Sequence, residues 1–583
     1  MSERTADSPS RVRWLLVATA GILAIVAMNV WWVATYRRGY PLTIDESGYL
    51  AIALRDHFAL QGSGLGSWWH TVQSQAPYAP LVPAVTSLAY VFKAGVLEGF
   101  GVLIGFLVLL VYAVFGIGER LAGPRLGALA ALVAATAPGT FVFVREYVFA
   151  LPAAALLACA VYALLRSDGL RAWRWAIACG IAIGLMLLAR TMTVAFVPGL
   201  FAAGAVAILI RGKYAAGSDG LLGRRFLNLG LMAVAAFVVA APWYLHNLKP
   251  VFDYLTNYGY GSQAAYYGPD HSWISWGRWR DVASRITFND LLVPLAVLIA
   301  LGLLVVGVMA IRRVLEADDR RAVAIELLGS DAFSVALIVA ACYVALTSSR
   351  NGGEGFTIPV AVLLPPLAVI ALRYLRAAIL VPSLVAVALI TGLNVASNSN
   401  LWDSLAEARY VSVPGFGSQP WINGTPHAVS AAREQIPGPQ TRFTDSDRGW
   451  READSKVVAT VLQLSREGAH QPVAFASRNK ILNTSTVWLA GMLDAHTPIG
   501  LAQLTAEPSD SVATYTRELS SPEFGLPGIL VTMSSNTGDF PPLVNQRYAE
   551  TAARRLGFHK VRTMTLPDGR LLRVWMSGRR LAG

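Results

Sequence analysis

The sequence predicts an α-helical polytopic membrane protein carrying a C-terminal α/β domain, and three observations predict it. Of 583 residues, 55% are apolar and only 14% charged, with a mean hydropathy of +0.49, whereas an ordinary soluble domain carries about 25% charged residues. The apolar residues fall in blocks of about twenty, long enough at about 1.5 Å per residue to cross a hydrocarbon core of about 30 Å. From Ser397 onward the composition turns to that of a soluble domain. A soluble enzyme and a disordered or fibrous chain are both excluded.

The membrane part, 1–396, holds about eleven apolar runs of spanning type, at 14–34, 95–117, 126–143, 147–165, 175–189, 192–210, 226–245, 291–311, 332–346, 357–372 and 377–396. The first follows Arg11 and Arg13 but is too long for a signal peptide and has no small-residue cleavage site, so it reads as a signal anchor. With the N-terminus in the cytoplasm, the cytoplasmic segments hold about 18 Lys/Arg in about 59 residues, and the opposite loops about 11 in about 120, the positive-inside asymmetry. Arg37 and Arg38 stand on the wrong side of it. The net charge of +12 is therefore a topological signal, and no nucleic-acid partner is expected. Cys159, Cys179 and Cys342 all lie inside apolar runs, so no disulfide staples the exposed parts. The lack of disulfides and the short basic loops suit a bacterial plasma membrane.

An odd number of spans places 397–583 outside the cytoplasm as a soluble extracytoplasmic α/β domain. Its pattern predicts a helix over 452–467, a strand at 472–477, a strand at 529–533, a helix over 543–556 and a strand at 571–576. The Pro/Gly-rich stretch 413–426 reads as a linker. His427, His470, His496 and His559 are scattered without metal-ligand spacing.

Polar residues beside apolar runs collect on the outer side. The loop 35–94 opens with a helical pattern whose apolar positions, Ile44, Ala51, Leu54 and Phe58, predict an amphipathic helix lying at the membrane interface. Thr43 and Glu46 form a capping box at its start, which gives Glu46 a structural task; Asp45 is either a first-turn carboxylate favoured by the helix dipole or a carboxylate for chemistry. Arg145 and Glu146 follow at the next outer turn. Arg190 interrupts two apolar runs; it is either a functional intramembrane charge or the snorkelling end of a hairpin. Tyr244, His246 and Asn247 end the seventh run, and an aromatic-rich loop with Tyr254, Tyr258, Tyr260, Tyr266, Trp276 and Trp279 follows. These rings form an interfacial belt or line a sugar or prenyl groove. Arg350 and Glu354 flank a Gly-rich turn that either gates a site or only reverses the chain. Arginine forks at an outer surface suit a phosphate. No nucleotide-phosphate loop, nucleophile elbow or metal-protease motif is present, so an activated substrate outside the cytoplasm has to arrive on a lipid.

The acidic pair Asp45-Glu46 after the first span, Arg145 at the next outer turn, the Gly-Leu-x-Leu-Leu-x-Arg pattern ending at Arg190, and Ala-Pro-Trp-Tyr-x-x-Asn at 241–247 together resemble the GT-C glycosyltransferases. The likeness, over roughly residues 10–395, is to the protein O-mannosyltransferase and aminoarabinose transferase group, glycosyltransferase family 39. It implies a GT-C-like catalytic module that moves a sugar from a polyprenyl-phosphate donor to a hydroxyl acceptor, a glycan, lipid or protein, at the outer membrane face. Asp45 matches the family's acidic base, with Glu46 beside it. Arg145, Glu146, Arg190, Tyr244, His246, Asn247, Tyr258, Tyr260, Arg350 and Glu354 are then the candidate substrate-binding residues. The chain departs from the family where an Asp is common, at apolar Ala150 and Leu151, and at His246, where Arg is common. No metal ligands or cofactor motif are identified, and a divalent cation stays compatible with the pattern. Two rival classes are a flippase for lipid-linked sugars, which calls for mid-membrane charges and repeated halves, and a non-catalytic scaffold with an outer ligand-binding domain.

Overall fold

Apolar length decides the first half of the architecture. The computed structural model describes residues 9–37, 42–214, 221–268, 275–353, 355–399, 401, 409–422, 445–466, 472–494, 496, 499–537 and 539–578. Its helices are α1 (Pro9–Trp32), α2 (Ile44–Gln73), α3 (Leu81–Ala89), α4 (Val96–Ala122), α5 (Pro124–Ala135), α6 (Pro138–Val144), α7 (Ala150–Arg166), α8 (Trp173–Ala189), α9 (Val197–Tyr214), α10 (Leu221–Tyr244), α11 (Leu248–Gly259), α12 (Trp276–Ser284), α13 (Leu292–Leu315), α14 (Arg320–Leu328), α15 (Asp331–Ser348), α16 (Ile358–Ala361), α17 (Leu364–Ala368) and α18 (Ala377–Asn398). Among the described residues, seven helices are long and apolar enough to cross a membrane, and α5 with α6 forms an eighth candidate bent by 60°. Pro138 opens α6 just past the break, where its missing N–H costs no helical bond. The remaining predicted runs fall on shorter apolar helices, Ala150–Arg166, Trp173–Ala189 and Ile358–Arg373. The chain is a multi-pass membrane protein.

Small residues set how closely these helices approach. On α8, Gly180 and Gly184 form a Gly-x-x-x-Gly stripe facing α10. A Cβ at Gly180 would stand 2.2 Å from the Met232 carbonyl oxygen, and one at Gly184 2.8 Å from that of Ala236. Such backbone contact is how helices associate in lipid, where apolar side chains gain little from leaving the solvent.

The predicted helix after the first span is present as α2, with its capping box. Its apolar face, however, does not lie on lipid. Ala51 and Leu54 are fully buried in the protein core, because α3 and a helix of the C-terminal domain cover them. At Gly64 the helix kinks through a left-handed φ of 77°, a conformation that glycine adopts without steric cost.

The C-terminal part contains β1 (Arg409–Val413), β2 (Gly417–Ile422), α19 (Asp445–Arg466), β3 (Val473–Ala476), α20 (Thr484–Asp494), β4 (Leu501–Gln503), α21 (Val512–Ser520), β5 (Ile529–Met533), α22 (Gln546–Arg555), β6 (Phe558–Thr565) and β7 (Leu571–Ser577). The stretch read as a linker instead holds most of an antiparallel β1–β2 hairpin, turned at Gly415 and Gly417, both with positive φ; 423–426 lies outside the described residues. The main sheet has the order β4-β3-β5-β7-β6, with β3, β4 and β5 parallel and β6 and β7 antiparallel to their neighbours. Every residue of β3 and β5 is buried, as expected of strands covered on both faces. Val457, Val461 and Val487 of α19 and α20 pack on one face. Tyr515, Leu519, Ala549 and Ala552 of α21 and α22 pack on the other.

Helix α20 also joins this domain to the membrane bundle. Leu489 and Met492 belong to the same continuous core as the bundle helices. Ser485 sits so close to α2 that a Cβ at Gly48 would lie 3.7 Å from its own.

Candidate functional site

The site is built where α1, α2 and the 145–149 turn meet. Thr43 caps α2: its hydroxyl accepts from the Glu46 N–H at 3.4 Å, and the Glu46 carboxylate accepts from the Thr43 N–H at 3.0 Å. Glu46 does more than cap. Its other oxygen accepts from the Tyr147 N–H at 3.0 Å and from the Arg37 guanidinium at 2.5 Å, and both charged side chains of this pair are fully buried. Arg37 also lies 5.1 Å from the centre of the Phe100 ring. A buried pair stands only when hydrogen bonds use its remaining lone pairs, so Glu46 is the bolt that fixes α2 and is not open to a substrate. The same pair explains Arg37's place on the wrong side of the charge count: its charge is cancelled inside the protein.

Asp45, one residue earlier, is exposed. One turn along α2, on the same face, stands Tyr49. Its ring packs against Phe149 at 4.0 Å and meets Tyr78 edge-on at 5.7 Å. Tyr78 continues to Tyr254 at 6.4 Å, and Tyr254 to Tyr258 at 4.9 Å. Five rings from four parts of the chain thus form one wall. Burial pushes the Tyr49 phenol well above its ordinary range; the Asp45 carboxylate, Tyr254 and Tyr78 push the same way, and the Arg190 guanidinium pulls it back. Arg190 ends α8 in an extended conformation, with its carbonyl accepting from the Thr193 hydroxyl at 2.7 Å and its guanidinium 3.9 Å from the centre of the Phe356 ring.

Arg145 is corrected from phosphate ligand to clasp. It is fully buried, donates to Asn29 of α1 at 2.7 Å and to Ser399 at 3.3 Å, and also donates to the carbonyl of Asn398. The rings of Trp32 and Phe141 lie 4.4 and 4.7 Å away. It ties the first span to the end of the last. Glu146 beside it is buried too. Tyr244 and Asn247 likewise hold helices: the Tyr244 hydroxyl donates to the Leu187 carbonyl at 3.0 Å, and the Asn247 amide to the Gln73 carbonyl at 2.8 Å. His246 and Tyr260 are exposed. Arg350 is exposed in a turn that does not swing freely, because its N–H bonds the Gly259 carbonyl and Asn351 bonds that of Tyr258. Glu354 lies outside the described residues.

Three residue sets escaped the sequence reading. Tyr49, Tyr78, Phe149 and Phe356 come from separate segments, and only the four-residue spacing of Asp45 and Tyr49 hinted at any of them. Asp56, further along α2, donates nothing to the mouth: it is buried against Gln75 and Arg55, and burial pushes its carboxyl up to about 7. Asp290 is also buried, beside Gly139, and burial pushes it up to about 7. Among the described residues, no group of three or more His, Cys, Asp or Glu could hold a metal ion.

Comparison with known proteins bears on the fold. ArnT from Cupriavidus metallidurans in the apo state matches with a TM-score of 0.53 and 16% identity over 97% of this chain and 98% of that one. The two chains share a fold. The structure of ArnT bound to undecaprenyl phosphate matches at 0.53 and 15% identity over 97% of each chain. AglB, the oligosaccharyltransferase of Archaeoglobus fulgidus, seen with an inhibitory peptide and a dolichol-phosphate, matches at 0.46 and 11% identity over 95% of this chain and 74% of that chain. No protein-family model and no curated protein matches the chain. The architecture is the fold that ArnT adopts.

Proposed function

We propose that this chain is an inverting glycosyltransferase of the extracytoplasmic membrane face, taking a sugar from a polyprenyl-phosphate donor to a hydroxyl acceptor. The observation that carries this reading is the exposed Asp45 one helical turn before Tyr49, whose ring joins Phe149, Tyr78 and Tyr254 in one aromatic wall. ArnT, which shares the fold, is described with undecaprenyl phosphate, and that ligand class fits an arginine at the mouth of an apolar bundle.

Asp45 accepts the proton of the acceptor hydroxyl. The acceptor oxygen forms its bond to the anomeric carbon as the bond from that carbon to the phosphate oxygen breaks on the opposite face. The lipid phosphate departs with both electrons. A phosphate leaves without needing an acid, provided a cation meets its growing charge, and Arg190 supplies that cation with a fork suited to phosphate oxygens. The rings of Tyr49, Tyr78 and Tyr254 offer faces for the sugar. His246 and Arg350 are exposed for contacts to the acceptor or headgroup.

Asp45→Asn, assayed by mass spectrometry in membranes supplied with a polyprenyl-phosphate sugar, is expected to lose about 10²–10⁴ in transfer rate while still binding the lipid. Turnover near that of the wild type removes Asp45 from the role of base.

A further inference from the structure

The C-terminal domain contains a second arrangement with the chemistry of a binding site. In its sheet, β3 is followed by α20 and leads to β4 on one side, while β5 lies on the other side of β3. Helix α20 packs on one face of the sheet, and α22, which follows β5, packs on the opposite face. The chain therefore leaves β3 and β5 in opposite directions, the switch point beyond whose strand ends open α/β sheets hold their ligands in a crevice; the segments that follow the two strands meet there, the Phe540 N–H donating to the Arg478 carbonyl at 3.2 Å.

Polar groups gather there. Ser477, Arg478 and Asn479 follow β3; Ser535, Asp539 and Phe540 follow β5; Arg570 precedes β7, whose Leu572 pairs with Met533 at the end of β5. The Arg478 N–H donates to Asp539 at 3.1 Å, and its guanidinium lies 4.3 Å from the centre of the Phe540 ring. Arg570 donates to Asp568 at 2.7 Å and to the Ser535 carbonyl at 3.4 Å. Three buried polar atoms on these segments have no hydrogen-bond partner among the described residues: Ser477 Oγ, Arg570 Nη2 and Asp539 Oδ1. Ser477 is 0% and Arg570 8% exposed. Native proteins rarely leave such atoms unmatched, and here a hydroxyl, an N–H donor and a carboxylate oxygen on the segments at the strand ends are all unmatched.

We propose that this crevice binds a saccharide, with Ser477, Asp539 and Arg570 meeting its hydroxyls and the Arg478-Phe540 stack offering a flat side. The matching chemistry is a ligand whose groups both donate and accept, as sugar hydroxyls do. A phosphate would suit Arg570 but would face the Asp539 carboxylate. Burial raises the Asp539 carboxyl, while Arg570 and Arg478 draw it back, in keeping with a carboxylate held close to both arginines. The crevice is separate from the Asp45 mouth and does not depend on the transferase reading. It is linked to that mouth through α20, which begins just after Asn483 and docks on α2.

Saturation-transfer NMR on the full-length protein in nanodiscs tests this with mannotriose, arabinotriose and maltotriose, and with inorganic phosphate as a competitor. At least one trisaccharide is expected to receive saturation, to keep it in the Asp45→Asn variant and in excess phosphate, and to lose it about 10-fold in Asp539→Asn and Ser477→Ala. Ser477→Ala removes a single unpartnered atom, so its fold is retained. Absence of transfer to all three sugars, transfer unchanged in both crevice variants, or displacement by phosphate each overturns the proposal.

Discussion

Two charged regions, which take one each of the neighbouring carboxylates Asp45 and Glu46, have opposite fates. In the clasp, Arg37 meets Glu46, and Arg145 meets Asn29, Asn398 and Ser399, all shut away from solvent. At the mouth, Asp45 is exposed and Arg190 rests on the face of Phe356. The contrast teaches that a charge in a membrane protein identifies itself by what satisfies it. A carboxylate whose oxygens are taken by backbone and guanidinium is closed to an incoming proton, whereas its neighbour Asp45 faces solvent.

The comparison breaks or sharpens through variants of the second charge in each region, with the loss of transfer in Asp45→Asn as the largest expected effect. Arg190→Gln removes a hydrogen bond to a charged group and should raise the apparent KM for the lipid donor by about 10- to 100-fold, with thermal unfolding in detergent unchanged. If stability falls and KM does not move, Arg190 belongs with the clasp. Arg145→Met keeps apolar bulk against Trp32 and Phe141 but strands its three partners, at about 1–3 kcal/mol for each buried group. It should lower the unfolding temperature clearly while turnover per folded molecule stays within about threefold of wild type. A raised donor KM at normal stability would move Arg145 to the mouth and dissolve the distinction.

The smallest effect concerns the C-terminal domain. The Cβ separation of 3.7 Å between positions 48 and 485 lies in the range that a disulfide bridges without backbone movement, about 3.5–4.5 Å. The Gly48→Cys/Ser485→Cys protein, oxidised in vitro, should turn over within about twofold of its own reduced form, because α20 is packed into the bundle core beside α2. Loss of turnover on oxidation, restored by reductant, would show that the domain must leave α2 during the reaction.

Much of this was legible in residue order because it rests on local rules. Spans follow from apolar length, the Thr43–Glu46 cap from a four-residue pattern, and the strands at 473–476 and 529–533 from short, mainly apolar runs that follow Pro472 and Gly528 and end before Ser477 and Ser534. Strands β4 and β6 were not legible: β4 is three half-buried residues long, and most of β6 is exposed, so neither carries a hydrophobic signature of its own.

What the sequence alone determined was a bundle of membrane helices, a soluble α/β domain after it, and an acidic pair capping the first helix beyond the first span, since length, periodicity and capping are properties of neighbouring residues. Only the tertiary structure decided which member of that pair is closed and which is exposed, that Arg145 is shut away against Asn29 and Ser399, and that Tyr49, Tyr78 and Tyr254 form one wall. Those outcomes depend on groups 100 or more residues apart meeting in a medium with no water to satisfy them, as Glu46 meets the Tyr147 N–H across 101 positions. No local pattern encodes such partners.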